Sequence, residues 1–466
     1  MRVLVAIAHH GDKNREHLLR VLATYERMSS DVDVVVLTEV HKPLPEGVEQ
    51  RVGVPTRDPW SLPFGHRRLF ADRRSSYDLY VYSEDDVLIT EENLRAFVSE
   101  SHRVATDEIP GFLRYEVTPG GERFFPDLHS GYHWVPTSLS LRPDGLYAAH
   151  SNPHSASYAL TREHLEHCLA AGSFLVPAHR GRVDLLVAAA TDPYTSCGLR
   201  RILPIDRLES FLVHHLPNNY VGRLGTEEPA LQLQLDALAK VARTGDTDRL
   251  LEPRTTLDVE TWDKSFHDPV PPPLAHLPVA GSSVLSVGVG YGEIEGDLID
   301  RGATVYGIPH DAITAEVAAH RGVIPLPADV PSAVAQLRPG SIDLVVLVDV
   351  LGRMPDPVSA LRQLRRVAAP GCHFLVTTRN QRYDWLRWLL GRGPRPPMRG
   401  AFAVTGMEPA DAGQLHRWLG AAGMASTETC YWTPRSHEGP RPTRHWPLSA
   451  THSEVVVIAS DDGPVL

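Results

Sequence analysis

The chain has 466 residues, 42% of them hydrophobic, and a formal net charge of −11, a globular composition too long for one ordinary domain. That negative balance provides no basic field for nucleic acid or for an anionic membrane surface. No apolar run is long enough to span a bilayer, and the opening "MRVLVAIAHHGDKN" has no signal-peptide cleavage pattern. The expectation is therefore a cytoplasmic protein with no nucleic-acid partner and no membrane span. Cys168, Cys197, Cys372 and Cys430 are widely spaced and form no C-x-x-C pair, so they are expected to be reduced, buried thiols.

In chain order, "RVLVAIAHH" predicts a strand, "REHLLRVLATYERM" a helix and "VDVVVLTE" a second strand. A helix around residues 66–73 precedes the strand in "YDLYVYSEDDVLIT" (77–90). This alternation of strand and helix is the rhythm of a parallel α/β sheet. In such sheets ligands bind beyond the carboxyl ends of the strands, where Glu84, Asp85 and Asp86 fall. Three adjacent carboxylates at the end of a buried strand repel one another. They mark either an acidic turn in water or a site for a hard divalent cation, Mg²⁺ or Mn²⁺.

Further along, His214 and His215 are adjacent, so on a strand only one can face such a site. Asp184, in "GRVDLLVAAATDPY", is the first candidate for a base that activates an acceptor hydroxyl, with Asp192 second; a helix N-cap explains Asp184 at least as well. His66, Arg67 and Arg68 are readable as phosphate contacts or as a solvated helix face. An amphipathic helix is expected over residues 229–243. After it, the proline cluster in "HDPVPPPLAHLPVAG" (267–281) reads as a stiff connector.

A second strand–helix series starts at "SSVLSVGVGYGEIEGDLID". Gly288, Gly290 and Gly292 form a glycine-rich turn between strand and helix, where backbone can approach a nucleoside. The register continues through "SIDLVVLVDVLGRMPDPVSALRQLRRVAAPGCHFLVTTRN", a helix in "DAGQLHRWLGAAGMAST" and a last strand in "SEVVVIAS". The fold class is two tandem α/β domains, 1–225 and 281–466, joined by a helical and Pro-rich linker over 226–280.

Two resemblances follow from these motifs. Residues 1–225 resemble a glycosyltransferase of the GT-A fold. In that reading Glu84, Asp85 and Asp86 stand for the D-x-D-like motif, "HSASYALTREHL" for the acceptor-side segment, and "ESFLVHHLPNNYVG" for the late strand that returns a histidine to the metal. The resemblance implies a nucleotide-sugar donor, a metal held by Glu84, Asp85, Asp86 and His214 or His215, and a small-molecule or glycan acceptor. Residues 280–460 resemble class I methyltransferases, which implies S-adenosylmethionine along Gly288, Gly290 and Gly292, with Asp329 at the adenine. Two positions depart from that family. Ser286 stands where an acid usually precedes the first glycine, and Pro309 where another usually holds the ribose, with Asp311 as a substitute.

The combined expectation is a bifunctional transferase: metal-dependent glycosyl transfer, with O-methylation from S-adenosylmethionine. The alternatives are a methyltransferase whose N-terminal half only binds sugar, a glycosyltransferase with a pseudo-methyltransferase domain, and a non-catalytic scaffold.

Overall fold

A computed structural model describes residues 1–180, 183–251, 256–257, 259–433 and 452–460. By internal contact the chain separates into two compact units, Met1–Leu235 and Asp236–Leu466, and the helix Glu228–Thr244 contains the boundary. All four cysteines are free and buried. No helix among the described residues is long and apolar enough to cross a membrane.

In the first unit β1 (Arg2–His9), α1 (Arg15–Glu26), β2 (Asp31–Thr38), β3 (Glu49–Val52), α2 (Gly65–Asp72) and β4 (Leu79–Glu84) follow one another. Their sheet runs Ser157–Thr161, β4, β1, β2, β3; β1 to β4 are parallel and Ser157–Thr161 is antiparallel to β4. The central strands are buried on both faces: Val3, Leu4, Val5, Ala6 and Ile7 of β1 and Leu79, Tyr80, Val81 and Tyr82 of β4 have no exposed surface. This is why their sequences are nearly continuous apolar runs rather than alternating ones.

Beyond β4 the chain turns through Glu84, Asp85 and Asp86 into β5 (Val87–Leu88) and then α3 (Glu91–Ser101). Thr90 caps α3 in a reciprocal capping box with Asn93. β5 belongs to a different sheet, ordered Thr226–Glu227, Arg123–Phe125, Leu113–Val117, Leu212–His215, β5. The acidic triplet therefore lies at the joint where the backbone leaves one sheet for another.

The second unit has one seven-stranded sheet, ordered Ile324–Pro325, Thr304–Pro309, Ser283–Val289, Ile342–Val348, Ala368–Arg379, Glu454–Ser460, Ala425–Trp432. The first five are parallel; Glu454–Ser460 runs antiparallel to both of its neighbours. Alternate residues feed cores on opposite faces. Leu285, Val287, Val345 and Leu347 join one core, and Val284, Leu344 and Val346 the other. Strand order reverses between Ser283–Val289 and Ile342–Val348, which opens a crevice at their carboxyl ends.

The proline-rich segment, expected as a stiff connector, is packed against the second unit's core. Leu274 and Val279 lie in the core of the second unit beside Val284 and Leu298. Arg301 donates to the carbonyls of Leu274 and Leu277. The division by compactness thus falls at Leu235 rather than at the prolines.

Candidate functional site

The first candidate site follows from the register of β1 and β4. Ala8 pairs with Glu84, so His9 and Asp85 are side by side at the strand ends. His9 Nδ1 is 2.5 Å from Asp85 Oδ2. Asn14, at the N-terminus of α1, donates to Asp85 Oδ1 and Asp86 Oδ2, both at 2.8 Å. On the other side His215 pairs with Val87 across the antiparallel ladder. That register puts its Nε2 3.6 Å from Asp86 Oδ2, while its Nδ1 is 2.6 Å from Glu116 Oε1. His214 faces away and stacks on Tyr115 with centroids 4.8 Å apart.

These carboxylates are neutralised from within the protein. Burial pushes Glu84 up to about 8, reinforced by the charge of Asp86, and burial also raises Asp85 against the hydrogen bond from His9. Burial disfavours the charged form of His215, but Asp86 and Glu116 outweigh it and raise its pKa to about 9. Among the described residues no group of three or more His, Cys, Asp or Glu side chains is disposed to hold a metal ion. The expected metal set is corrected accordingly. His214 is turned out of the cluster, and Asp85, Asp86 and His215 are engaged with His9, Asn14 and Glu116.

A cleft of about 220 Å³ opens on the triplet, walled by Pro59, Trp60, Leu62 and Leu186 and floored by Glu84, Asp85 and Asp86. The 3-10 helix Pro59–Phe64 leaves the Trp60 ring more than half exposed at its rim. The floor has acceptors to spare: Glu84 Oε1 and Asp86 Oδ1 are buried without hydrogen-bond partners.

The two proposed bases have other work. Asp184 is exposed and caps the helix Leu185–Thr195 through the Val187 N–H at 2.9 Å. Asp192 is 2.6 Å from Arg67, and both are almost wholly buried. His66 is likewise interior, bonded to Pro63 O and the Tyr158 hydroxyl. Arg68 alone of the three basic residues is solvated, with Asp72 at 2.9 Å.

The second candidate site is the crevice of the seven-stranded sheet. Gly288 and Gly292 adopt φ of 78° and 84°, left-handed values that L side chains rarely take. At Gly290 a Cβ would collide with the Phe266 carbonyl, which accepts from Tyr291 N at 3.0 Å. Phe266 also lies against His310, with ring centroids 4.8 Å apart. The groove along this turn is lined by Phe266, Asp268, Ser286, the three glycines, Glu293 and Glu295. Lys264 pairs with Asp268, and His267 is 3.4 Å from Glu293. Glu295 Oε1 is 2.5 Å from Ser286 Oγ. Next to the turn, Asp349 ends the neighbouring strand with φ of 48° and an ion pair to Arg353 at 3.0 Å.

The remaining predicted residues are caps. Asp311 is buried and accepts from Thr314 N at 2.8 Å at the start of Ala312–His320. Asp329 is exposed and accepts from Ser332 N at 2.7 Å. Neither lines the groove. The carboxyl groups beside the left-handed glycines offer acceptors to the ammonium of S-adenosylmethionine, whose amino-acid end also carries a carboxylate, whereas Pro309 brings no carboxylate to the ribose side. Sequence reading missed Asp268, Glu295 and Asp349. A glutamate in the first turn after a glycine loop was the one visible signal, and it concerned Glu295 alone.

Known proteins are similar to this part of the chain. Residues 249–429 match the methyltransferase-domain family. The ubiquinone biosynthesis O-methyltransferase of Pseudomonas paraeruginosa is 30% identical over 135 residues, 28% of this chain and 52% of that one. Its counterpart in Pseudomonas entomophila is 30% identical over 156 residues, 28% of this chain and 67% of the relative. The chain spans about half the length of the first relatives it matches. An S-adenosylmethionine-dependent methyltransferase from Mesorhizobium loti superposes with a TM-score of 0.31 at 19% identity, over 41% of this chain and 96% of that one.

Two measurements test these assignments. Asp192→Ala leaves the buried Arg67 guanidinium with the carbonyls of Phe174 and Ala188 but no carboxylate, so a loss of about 3–5 kcal/mol in chemical denaturation is expected. Asp184→Ala removes only a cap, for about 1 kcal/mol; equal losses would put Asp192 outside a structural pair. Burial also pushes Glu295 up to about 7 and Asp268 and Asp311 up to about 6. A carboxyl raised in the folded state contributes stability that is complete below the ordinary carboxyl range and is lost as pH rises through the folded pKa. Glu295→Gln should therefore gain on wild type by about 2 kcal/mol between pH 5 and pH 8. A melting-temperature difference that stays constant over that interval contradicts the buried ionisation.

Proposed function

We propose that the C-terminal region, whose residues 249–429 match the methyltransferase-domain family, is a class I S-adenosylmethionine-dependent methyltransferase that O-methylates a hydroxylated acceptor, while the N-terminal unit binds sugar. The observation that carries this reading is the left-handed glycine turn at the switch point of the seven-stranded sheet, facing buried carboxylates. O-methylation is the activity in the names of the relatives. We divide the work as a sugar-binding domain over 1–225, a helical and Pro-rich linker over 226–280, and a methyltransferase domain over 281–466.

When bound, S-adenosylmethionine supplies an electrophilic methyl group. The chain's own contribution is placement and charge. Gly288 and Gly292 take left-handed conformations and Gly290 admits the Phe266 carbonyl, so the three glycines set the shape of the turn beside which a nucleoside would lie. Asp268 and Glu293 line the groove paired with Lys264 and His267, and Glu295 is the one groove carboxyl with no cationic partner among the described residues. Asp349 is held in a strained backbone conformation by its neighbours and by Arg353. It faces the same strand ends, where an acceptor would approach.

Thermal shift of the full chain with S-adenosylmethionine should raise the melting temperature, since a ligand that binds only the folded state stabilises it by mass action. Labelled methyl transfer to phenol and polyol acceptors then reads the activity. No shift at millimolar cofactor would overturn the proposal. Pro309→Asp should restore a ribose-side carboxylate and tighten binding in calorimetry, tenfold for each 1.4 kcal/mol recovered; unchanged affinity would show that the ribose is held another way.

A second reading, glycosyl transfer by the N-terminal unit from a nucleotide-sugar donor, is favoured by the cleft over Glu84, Asp85 and Asp86. Unpartnered carboxylate oxygens suit sugar hydroxyls, and the exposed Trp60 ring suits a sugar or base face. Donor hydrolysis by wild type, lost in Asp86→Asn and unaffected by chelator, would support turnover without a metal. Binding of donor without hydrolysis leaves the unit a sugar-binding module.

A further inference from the structure

The groove of the second unit holds three carboxylates, and they are not equivalent. Asp268 is paired with Lys264, and Glu293 has His267 at 3.4 Å. Glu295 has a hydroxyl instead. Its Oε1 takes the Ser286 hydroxyl at 2.5 Å, and no Lys, Arg or His pairs with it among the described residues. Ser286 and Glu295 are 3% and 4% exposed, so water does not serve in place of a cation. Burial raises its carboxyl to about 7 against the hydrogen bond from Ser286, and the like charges of Asp268 and Glu293 add to the rise.

A buried carboxylate in this position is costly to ionise until a cation arrives. Its position makes the cation's source specific. Ser286 lies on the strand two residues before the glycine turn, and Glu295 projects from the first turn of the helix after it. The pair thus brackets the turn, and both residues line the groove. The carboxylate that the strand lacks at Ser286 is supplied from the helix, nine residues later. The hydroxyl fixes its orientation.

On the reading of this region as an S-adenosylmethionine-dependent methyltransferase, we propose that Glu295, oriented by Ser286, binds the ammonium of the amino-acid end of the cofactor. Glu295 is then a binding residue and Ser286 a positioning residue. Neither role extends to the sulfonium or to the nucleoside.

Calorimetry on the full chain with three ligands separates these possibilities. S-adenosylmethionine carries ammonium and sulfonium, S-adenosylhomocysteine only the ammonium, and 5′-methylthioadenosine neither. Glu295→Gln keeps the size of the side chain and a hydrogen-bonding group for Ser286. It should weaken S-adenosylmethionine and S-adenosylhomocysteine alike, by about 10- to 100-fold, because a charge-assisted hydrogen bond is lost. Binding of 5′-methylthioadenosine should stay within about twofold of wild type, which also shows that the groove is intact. Equal weakening of all three ligands would mean that Glu295 only shapes the turn. Weakening confined to S-adenosylmethionine would assign it to the sulfonium, and unchanged binding of all three would remove it from the site. Each overturns the proposal while leaving the methyltransferase reading in place. If wild type binds none of the three, that reading falls and this one with it.

Discussion

A carboxylate taken out of water must find a cation, a set of hydrogen-bond donors or a proton, and both units of this chain bury carboxylates where parallel strands end. The placement has a common origin. A parallel sheet leaves its strand ends as the one region not covered by crossover helices, and a reversal of strand order opens a crevice there. Polar side chains gather at that crevice because the middles of the strands are largely apolar. How each carboxylate is satisfied then decides what the crevice can bind.

The N-terminal unit satisfies its acids internally. His9, Asn14 and His215 arrive from three separate segments and meet Asp85 and Asp86. Glu116 in turn holds the other ring nitrogen of His215, so the histidine bridges two carboxylates as a cation. The cluster still presents unpartnered acceptor oxygens to the cleft, and such acceptors suit hydroxyl groups. The C-terminal unit satisfies two of its three groove acids with Lys264 and His267, both from the segment ahead of the first strand. That segment also seats the Phe266 carbonyl against Gly290. The glycine is thus required by a close approach of the protein's own backbone.

Much of the architecture was legible as a pattern. The alternation of apolar strand and amphipathic helix located the core strands of both units, and "SEDD" and "GVGYG" lay at strand ends as their positions require. The site was less legible, and the errors share a cause. Asp184, Asp311 and Asp329 each immediately precede a helix, where an aspartate caps free N–H groups whether or not a ligand is near. The prolines after residue 267 suggested a stiff connector because proline cannot continue a helix or a central strand. Proline does not exclude packing, and Leu274 and Val279 between them are buried in a core.

The sequence by itself determined the two α/β series, the acidic turn after β4, the glycine turn after Ser283–Val289 and the helix starts, because these depend on local periodicity and on backbone preferences of single residues. Only the tertiary structure decided which side chains meet. It chose His215 over His214 through the register with Val87, paired Arg67 with Asp192 across 125 positions of chain, and set Glu295 against Ser286. Charges at such separations are brought together by sheet order and strand register, and no local pattern records that order.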